Sequence, residues 1–368
     1  MSKTYDTIII GAGIAGASTA HALTQKGQKV LVLDKNGIAS GGSGAAGAFV
    51  SPKIGKGAPL QKLTNEAFEY AKDFYLSNCP TFFHQTGVIR IPKDEADAKK
   101  FSAYQSYNDN RYENYTKEQL EPLGIKACFE SFYFPEAGVC DAQEVCHFLL
   151  HNIDVVVYEV KEITQENEVW SVGEYRAKNL VLATGFESDL IDLRYMGIRG
   201  TWGTRGDFSS TLALDVSMHQ SMSVSVNVDG IIKLGATHEK EIKEVIPCKR
   251  EQALLLKEKA SSLIDTSDLE LQELFCGMRA GSKDYFPLVG KVIEVPFMFE
   301  TYPAITRGAK PELKYLDNLF VCNGLGGRGF VFAPLMAKIL AECIVENKEA
   351  DSRVNPDRLF LKWARKLD

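Results

Sequence analysis

Three apolar runs, each of a length for one buried strand, punctuate the chain, and each is closed by small residues. Residues 7–10 (TIII) lead into Gly11-Ala12-Gly13-Ile14-Ala15-Gly16. Residues 179–182 (NLVL) lead into Ala183-Thr184-Gly185, and residues 318–322 lead into GLGGRG at 324–329. Runs of this kind suit parallel strands buried on both faces. After the first run the pattern turns helical over 15–26 and stops at Gly27, the place of a helix C′ glycine. A second apolar strand at 30–33 then ends on Asp34.

Further along, 61–77 reads as an amphipathic helix with Leu63, Ala67, Tyr70, Ala71 and Phe74 on one side. Residues 86–91 read as a strand, 96–107 and 117–123 as short helices, and 132–138 as a turn-rich connection. Asp141 suits an N-cap, with Glu144 at the capping-box position of a helix running to about 151. Strands are expected at 154–160, 175–184, 199–206 and 211–216. A hairpin is expected at 222–237, turning on Asp229-Gly230. Helices at 246–264 and 333–345, the latter with Pro334 near its first turn, complete the pattern. Helix-alternating strands thus occupy the start, the 140–190 region and the end, with antiparallel signals between them. This predicts an α/β fold with a Rossmann-like dinucleotide-binding unit (1–80, 140–198 and 275–368) and an inserted antiparallel-β substrate unit (81–139 and 199–274).

The first turn carries the clearest chemistry. In a GxGxxG between strand and helix, Gly11 permits the tight turn, Gly13 lets a pyrophosphate reach the backbone, and Gly16 lets helix and strand pack closely. The helix N-terminus offers free N–H groups to the phosphates. Asp34 stands where an acid accepts hydrogen bonds from an adenosine ribose. Residues 37–57 follow with seven glycines, small enough to lie along a flat ring system.

Composition narrows the remainder. The chain has 368 residues, 45% apolar and 24% charged, with a net charge of −6. That describes an ordinary globular protein without the strong basic field that advertises nucleic-acid binding, and no DNA partner is expected. No apolar stretch has membrane-spanning length, and no signal peptide precedes the first strand, so a cytoplasmic location is expected. The eight cysteines (79, 128, 140, 146, 248, 276, 322 and 343) form no CxxC pair, so no metal site is expected, and reduced thiols are.

Four features in one order carry a family resemblance: GAGIAG with Asp34, LVLATG, Gly277-Met278-Arg279 followed by Asp284-Tyr285-Phe286-Pro287, and GLGGRGFVFAP. The chain resembles the FAD-dependent amine oxidases that include glycine, sarcosine and D-amino-acid oxidases. SGGSGAAGAFVSPKI, NEAFEYAKDFY, FPEAG and RAGSKDYFPLVG are similar to the flavin oxidase domain of the bifunctional tRNA 5-methylaminomethyl-2-thiouridine biosynthesis proteins. The resemblance implies non-covalent FAD, held by Gly11, Gly13, Ile14, Ala15, Gly16, Asp34, Lys35, Ser43, Gly44, Ala48, Val160, Ala183, Thr184, Gly185, Gly324, Gly326, Gly327, Arg328, Gly329 and Phe330. It implies oxidative removal of a carboxymethyl group, as glyoxylate, from a wobble-uridine side chain carried on tRNA.

The catalytic candidates are Arg279, as the clamp for a glycine-like carboxylate, and Arg328, near substrate or ring. A guanidinium forks onto a carboxylate with two parallel bonds. The competing reading of Arg279 is a salt bridge to Asp284. Asp284 is otherwise expected to fix its own loop, Arg199, Trp202 and His21 to be structural, and Cys276 not to tether flavin. Lys53, Lys56, Lys62, Arg205, Lys249 and Arg250 are candidates for a tRNA path, with plain solvated surface as the alternative. The family's methyltransferase domain has no counterpart here, so either a stand-alone oxidase with a separate methyltransferase partner or a fragment is expected. Oxidation of a free small amine, such as glycine, sarcosine or a D-amino acid, is the alternative function, and a flavin-binding structural partner is a third.

Overall fold

The computed structural model describes residues 3–187 and 189–367. Its first sheet is built on five parallel strands. In spatial order they are Asp154–Val157, Val30–Asp34, Lys3–Ile10, Tyr175–Leu182 and Tyr315–Asn323, with Leu288–Ile293 antiparallel at the edge. The strand order reverses between the first strand and Tyr175–Leu182, which makes a topological switch point where such sheets bind ligands. Alternate residues feed two cores. Ile9, Val32, Val181 and Phe320 pack into one, with helices Ile14–Gln25, Pro59–Asn78 and Gly329–Glu346. Ile8, Ile10, Leu31, Leu33, Leu180, Leu182 and Val321 pack into the other, with Val295, Met298 and Phe360. Burial on both faces explains why these strands read as unbroken apolar runs rather than as alternation.

The second sheet runs Glu270–Gly281, Arg199–Ser209, Ile231–Gly235, Ser223–Val224, Ser217–His219, Val88–Arg90, Ser131–Phe134, Glu113–Tyr115. One face closes over its own core of Ile89, Phe208, Met218, Ile232 and Leu234, covered by helix Arg250–Ala260. The other face turns to the first half of the molecule. Glu270–Gly281 belongs to this sheet along its whole length, so the division expected at 275 falls inside a strand.

Several local expectations are corrected. Residues 211–216 are not a strand; the strand is Ser217–His219. Ser131–Phe134 is a strand paired with Val88–Arg90, not part of a turn. Helix Arg250–Ala260 begins four residues later than expected, and strand Asp154–Val157 stops three residues before Val160. Asp141 precedes helix Ala142–Leu149, but its side chain makes no cap bond. Its carboxylate is taken by His84 Nε2 at 2.8 Å and Lys233 Nζ at 2.7 Å. The hairpin Thr164–Glu166/Val169–Val172 was not expected, because its turn residues Asn167 and Glu168 lack a glycine yet both take positive φ. Asp229-Gly230 turns its hairpin as expected, with both φ positive.

Among the described residues no helix is long and apolar enough to cross a membrane. The cysteines depart from the expectation of eight reduced thiols. Cys248 and Cys276 are disulfide-bonded with Cα atoms 5.7 Å apart, a separation the bond accommodates. Among the others, burial pushes the Cys79 thiol up to about 12 and those of Cys322 and Cys343 up to about 11, which leaves them unreactive.

Candidate functional site

The phosphate loop sits at the switch point and is shaped by close approach. Gly11 has φ +111°, and a Cβ there would overlap the Ala183 carbonyl; one at Gly16 would overlap the Gly11 carbonyl. Gly13 precedes helix Ile14–Gln25, and a Cβ at Gly13 would lie 2.8 Å from Ser43 Oγ. That hydroxyl accepts the Ile14 N–H at 2.9 Å. Asp34 ties this loop to the second strand. Its Oδ2 accepts the Ala12 N–H at 2.8 Å, and its Oδ1 accepts those of Asn36 and Gly37 at 2.9 and 3.1 Å.

The glycine-rich loop then crosses the second sheet. A Cβ at Gly42 would come 2.5 Å from the Met278 carbonyl, and one at Gly277 would come 2.7 Å from Gly42 Cα, so both positions need hydrogen there. Arg205 fastens the loop by donating to the carbonyls of Gly44 and Ala46, while Asp207 neutralises it at 2.8 Å. Arg205 is 4% exposed, which removes it from the expected tRNA path; its guanidinium serves the interior. Lys56, Lys62, Lys249 and Arg250 are exposed. Ala48 is buried, with φ +50°, and its carbonyl accepts the Cys140 N–H at 3.0 Å.

The third wall is the turn after the last strand. Asn323 Oδ1 accepts the Gly324 N–H at 2.8 Å, and its Nδ2 donates to the Gly185 carbonyl at 2.9 Å, joining two of the small-residue turns. Gly326–Arg328 forms one 3₁₀ turn, and helix Gly329–Glu346 starts directly after it, earlier than Pro334 suggested. Pro334 has no N–H for the Phe330 carbonyl four residues back. Tyr75 Oη supplies the missing donor at 2.8 Å, which lets the helix begin at the turn. A Cβ at Gly329 would lie 3.2 Å from Ile14 Cγ2, so two helix N-termini meet at one point.

Arg279 stands beside this turn: a Cβ at Gly327 would lie 3.8 Å from Arg279 Cδ. Gly203 leaves room for the guanidinium, which would overlap any side chain there. Arg279 Nη1 donates to the Thr237 carbonyl at 3.0 Å, and burial lowers its pKa. The salt bridge weighed as its alternative role is absent. Asp284 is instead forked by Arg358, with contacts of 2.9 and 3.0 Å, and Ser282 Oγ donates to it at 3.0 Å. Arg328 Nη1 donates to the Ser51 carbonyl at 3.1 Å, and burial pushes its pKa down to about 10. Among the described residues no carboxylate lies within ion-pair distance of Arg279 or Arg328.

A family model described as "FAD dependent oxidoreductase" matches residues 6–343. The chain belongs to this FAD-dependent oxidoreductase family. Two curated relatives are similar over nearly all of it, both named tRNA 5-methylaminomethyl-2-thiouridine biosynthesis bifunctional protein MnmC. The one from Campylobacter concisus (strain 13826) is 26% identical over 92% of this chain and 56% of its own length. The one from Methylobacillus flagellatus is 26% identical over 96% and 59%. The chain therefore spans little more than half the length of these relatives. Among solved structures, glycine oxidase from Bacillus cereus ATCC 14579 superposes with a TM-score of 0.78 at 21% identity, covering 94% of this chain and 96% of that one. Iminodiacetate oxidase from Chelativorans sp. BNC1 gives 0.76 at 17% identity, covering 95% and 98%. Both share the fold.

The residues of this oxidoreductase fit FAD. Gly13 presents only hydrogen at the first helix N-terminus, beside the Ser43 hydroxyl, the close backbone approach that a pyrophosphate requires. Around Gly326 a Cβ would meet nothing nearer than Gly281 Cα at 3.9 Å, which leaves open ground for a ring beside the turn. Other expected residues do different things. Lys35 pairs with Glu187 at 2.7 Å, Thr184 Oγ1 donates to the Glu187 carbonyl, and Val160 is half-buried against the second core. Cys276 is bonded to Cys248 and offers no free thiol. His21 packs edge-on against Phe74, Trp202 is buried, and Arg199 is exposed. A cavity of about 540 Å³ lined by Asp6, Lys178, Lys291 and Asp317 lies at the N-terminal ends of the parallel strands, away from the GAGIAG turn.

The sequence reading passed over Arg90 and His219. They are directly paired on Val88–Arg90 and Ser217–His219, on the face that turns toward Arg328. Only strand pairing between distant segments brings them there, and nothing local announces it.

Proposed function

We propose that this oxidoreductase removes the carboxymethyl group from an N-carboxymethyl amine, the carboxymethylaminomethyl side chain of a tRNA wobble uridine. The observation that carries the reading is the Arg279 guanidinium, free of any carboxylate of the chain among the described residues and set beside the Gly326–Arg328 turn. Its planar fork takes the substrate carboxylate and turns the adjacent CH₂ toward the ring. FAD, when bound, accepts the two electrons and the hydrogen of that C–H bond. Arg90, Arg328 and Arg279 together disfavour an ammonium nearby, so the substrate amine enters neutral, as loss of hydride from its carbon requires. The resulting imine is split by water into glyoxylate and the aminomethyl group. The amides at Gly327 and Gly329, with the helix N-terminus behind them, would stabilise negative charge on bound FAD.

The relatives named for tRNA 5-methylaminomethyl-2-thiouridine biosynthesis support tRNA as the carrier; a cytoplasmic location and a separate methyltransferase that consumes the product belong to the same proposal. The net charge of −6 favours the second reading, a free small amine such as glycine or sarcosine. Anaerobic flavin bleaching decides between them. The expected result is faster bleaching by tRNA bearing the carboxymethylaminomethyl group than by glycine or sarcosine at equal concentration. Faster bleaching by the free amino acids would overturn the tRNA reading.

A further inference from the structure

The second sheet carries more positive charge toward the cleft than one carboxylate needs. Side chains alternate along a strand, and directly paired residues share a face. Ile89 and Met218 are paired and lie in the sheet's own core, so their neighbours Arg90 and His219 lie on the opposite face. Gly277 and Arg279, two apart on Glu270–Gly281, turn the same way, toward Gly42. The facing wall adds Arg328, held by the Ser51 carbonyl, and Lys53, whose N–H donates to Asn65 Oδ1 at 2.8 Å.

Among the described residues these groups lack counter-ions. Arg90 Nε is buried without a hydrogen-bond partner. Among the described residues no carboxylate lies within ion-pair distance of Arg90, Arg328 or Lys53, although the chain is acidic overall. Burial pushes Arg90 down to about 9, with Arg328 adding to the shift and Asp97 opposing it. Burial and the same two arginines lower Lys53. Burial, again with both arginines, holds the His219 imidazole well below its usual value, so it is neutral near pH 7, with Nδ1 2.8 Å from Ser223 Oγ. Buried cations without partners cost stability unless something supplies the opposite charge.

We infer that the cleft accepts a substrate with two oxyanionic groups: the N-carboxymethyl carboxylate at Arg279, and a second, carboxylate or phosphate, on the amine's other substituent at Arg90, Lys53 and Arg328. The inference rests on the reading of Arg279 as the carboxylate clamp. His219 contributes a neutral hydrogen bond to the second group. A one-anion amino acid leaves Arg90 unmatched and binds more weakly.

The test uses FAD-loaded protein and two substrate pairs in anaerobic flavin reduction. Iminodiacetate is compared with sarcosine, and 5-carboxymethylaminomethyluridine 5′-monophosphate with its nucleoside. The parent is expected to prefer the two-anion member of at least one pair. The first pair reports a second carboxylate and the second pair a phosphate. Arg90→Met should lower that preference about 10- to 100-fold, the range for a lost charge-assisted bond, and should raise the melting temperature by removing an unmatched cation. Arg279→Met should weaken both members and leave their ratio unchanged. An unaltered ratio in Arg90→Met, or no preference in the parent for either pair, overturns the inference. Should Arg90→Met lose FAD, the parent decides: inorganic phosphate must compete with the preferred substrate, and absence of competition also overturns the inference. If none of the four substrates reduces the flavin, yet phosphate perturbs the flavin spectrum of the parent and not of Arg90→Met, the second subsite stands and the N-carboxymethyl reading falls.

Discussion

At the tip of the first strand the cleft is lined by backbone. Gly11, Gly13 and Gly16 keep side chains out, Ser43 and Asp34 hold the loop, and no charged side chain projects from GAGIAG. On the facing sheet the cleft is lined by side chains, Arg279 and Arg90, held in place by register across strands far apart in sequence. The first wall recognises what every member of the family holds, and a backbone cradle suffices for that. In the proposed function the second wall meets the substrate, and there specificity would reside in a few replaceable groups. Substitutions on the two walls should therefore fail in different ways.

The largest effect is expected at the backbone wall. Gly13→Val places a branched side chain where Ser43 Oγ already stands 2.8 Å from a bare Cβ. The added side chain must displace Ser43 Oγ or extend into the space proposed for the phosphates. FAD should be lost on desalting, with the chain still folded by circular dichroism. Retention of FAD at the parent's affinity would show that the loop is not the phosphate cradle.

The same contrast explains what could be read from sequence. The strand-turn-helix around Gly11–Gly16 was legible because strand, turn, helix and Asp34 are contiguous and each part has a local signature. Arg279 was a candidate only by resemblance, since GMRAG says nothing of Thr237 or Gly203, which position it through strands folded from elsewhere. Arg90 was invisible for a similar reason: its partner His219 is more than a hundred residues away. Residues 211–216 misled because their pattern suits a strand, while their polar groups are satisfied by side chains. Asp268 accepts from the Thr211 N–H at 2.7 Å, and Asn227 Nδ2 donates to the Leu212 carbonyl at 2.9 Å. Pro135 and the turn residues behind it concealed the strand Ser131–Phe134.

A smaller but more selective effect is expected on the side-chain wall. Arg279→Met should keep FAD and its spectrum, yet slow flavin reduction by carboxylate substrates. Removing one partner of a buried charged pair costs about 2–5 kcal/mol, on the order of 30- to 5,000-fold in kcat/KM. Arg279→Lys should recover only part, because an ammonium keeps the charge without the planar fork. Arg358→Met supplies the contrast, since Arg358 forks an acid of the chain itself, Asp284. Its loss should lower the melting temperature and leave the preference for carboxylate-bearing substrates intact. Equal loss in Arg279→Met for substrates with and without a carboxylate, measured by anaerobic stopped flow, would reduce Arg279 to a structural residue.

The smallest effect joins the two walls and is read through pH. Asp141 precedes helix Ala142–Leu149 on the nucleotide side and holds Lys233 of the second sheet at 2.7 Å and His84 at 2.8 Å. Burial alone would raise its pKa. The hydrogen bond from His84 and the charge of Lys233 outweigh that and bring it down to about 2. A carboxyl depressed on folding contributes stability that is complete above its unfolded value of about 3.9 and fades as pH falls toward the folded value. The contribution is about 2 kcal/mol at neutral pH and is lost progressively between about pH 5 and pH 1. Asp141→Asn keeps the shape and removes the charge, and no cap bond is lost, because Asp141 makes none. Urea titrations of parent and variant should differ by about 2 kcal/mol at pH 7 and converge toward about pH 1, below the folded value, where the parent's Asp141 also becomes neutral. A difference that stays constant over that range would mean that Asp141 holds the two sheets together by shape and hydrogen bonding, with its charge contributing nothing.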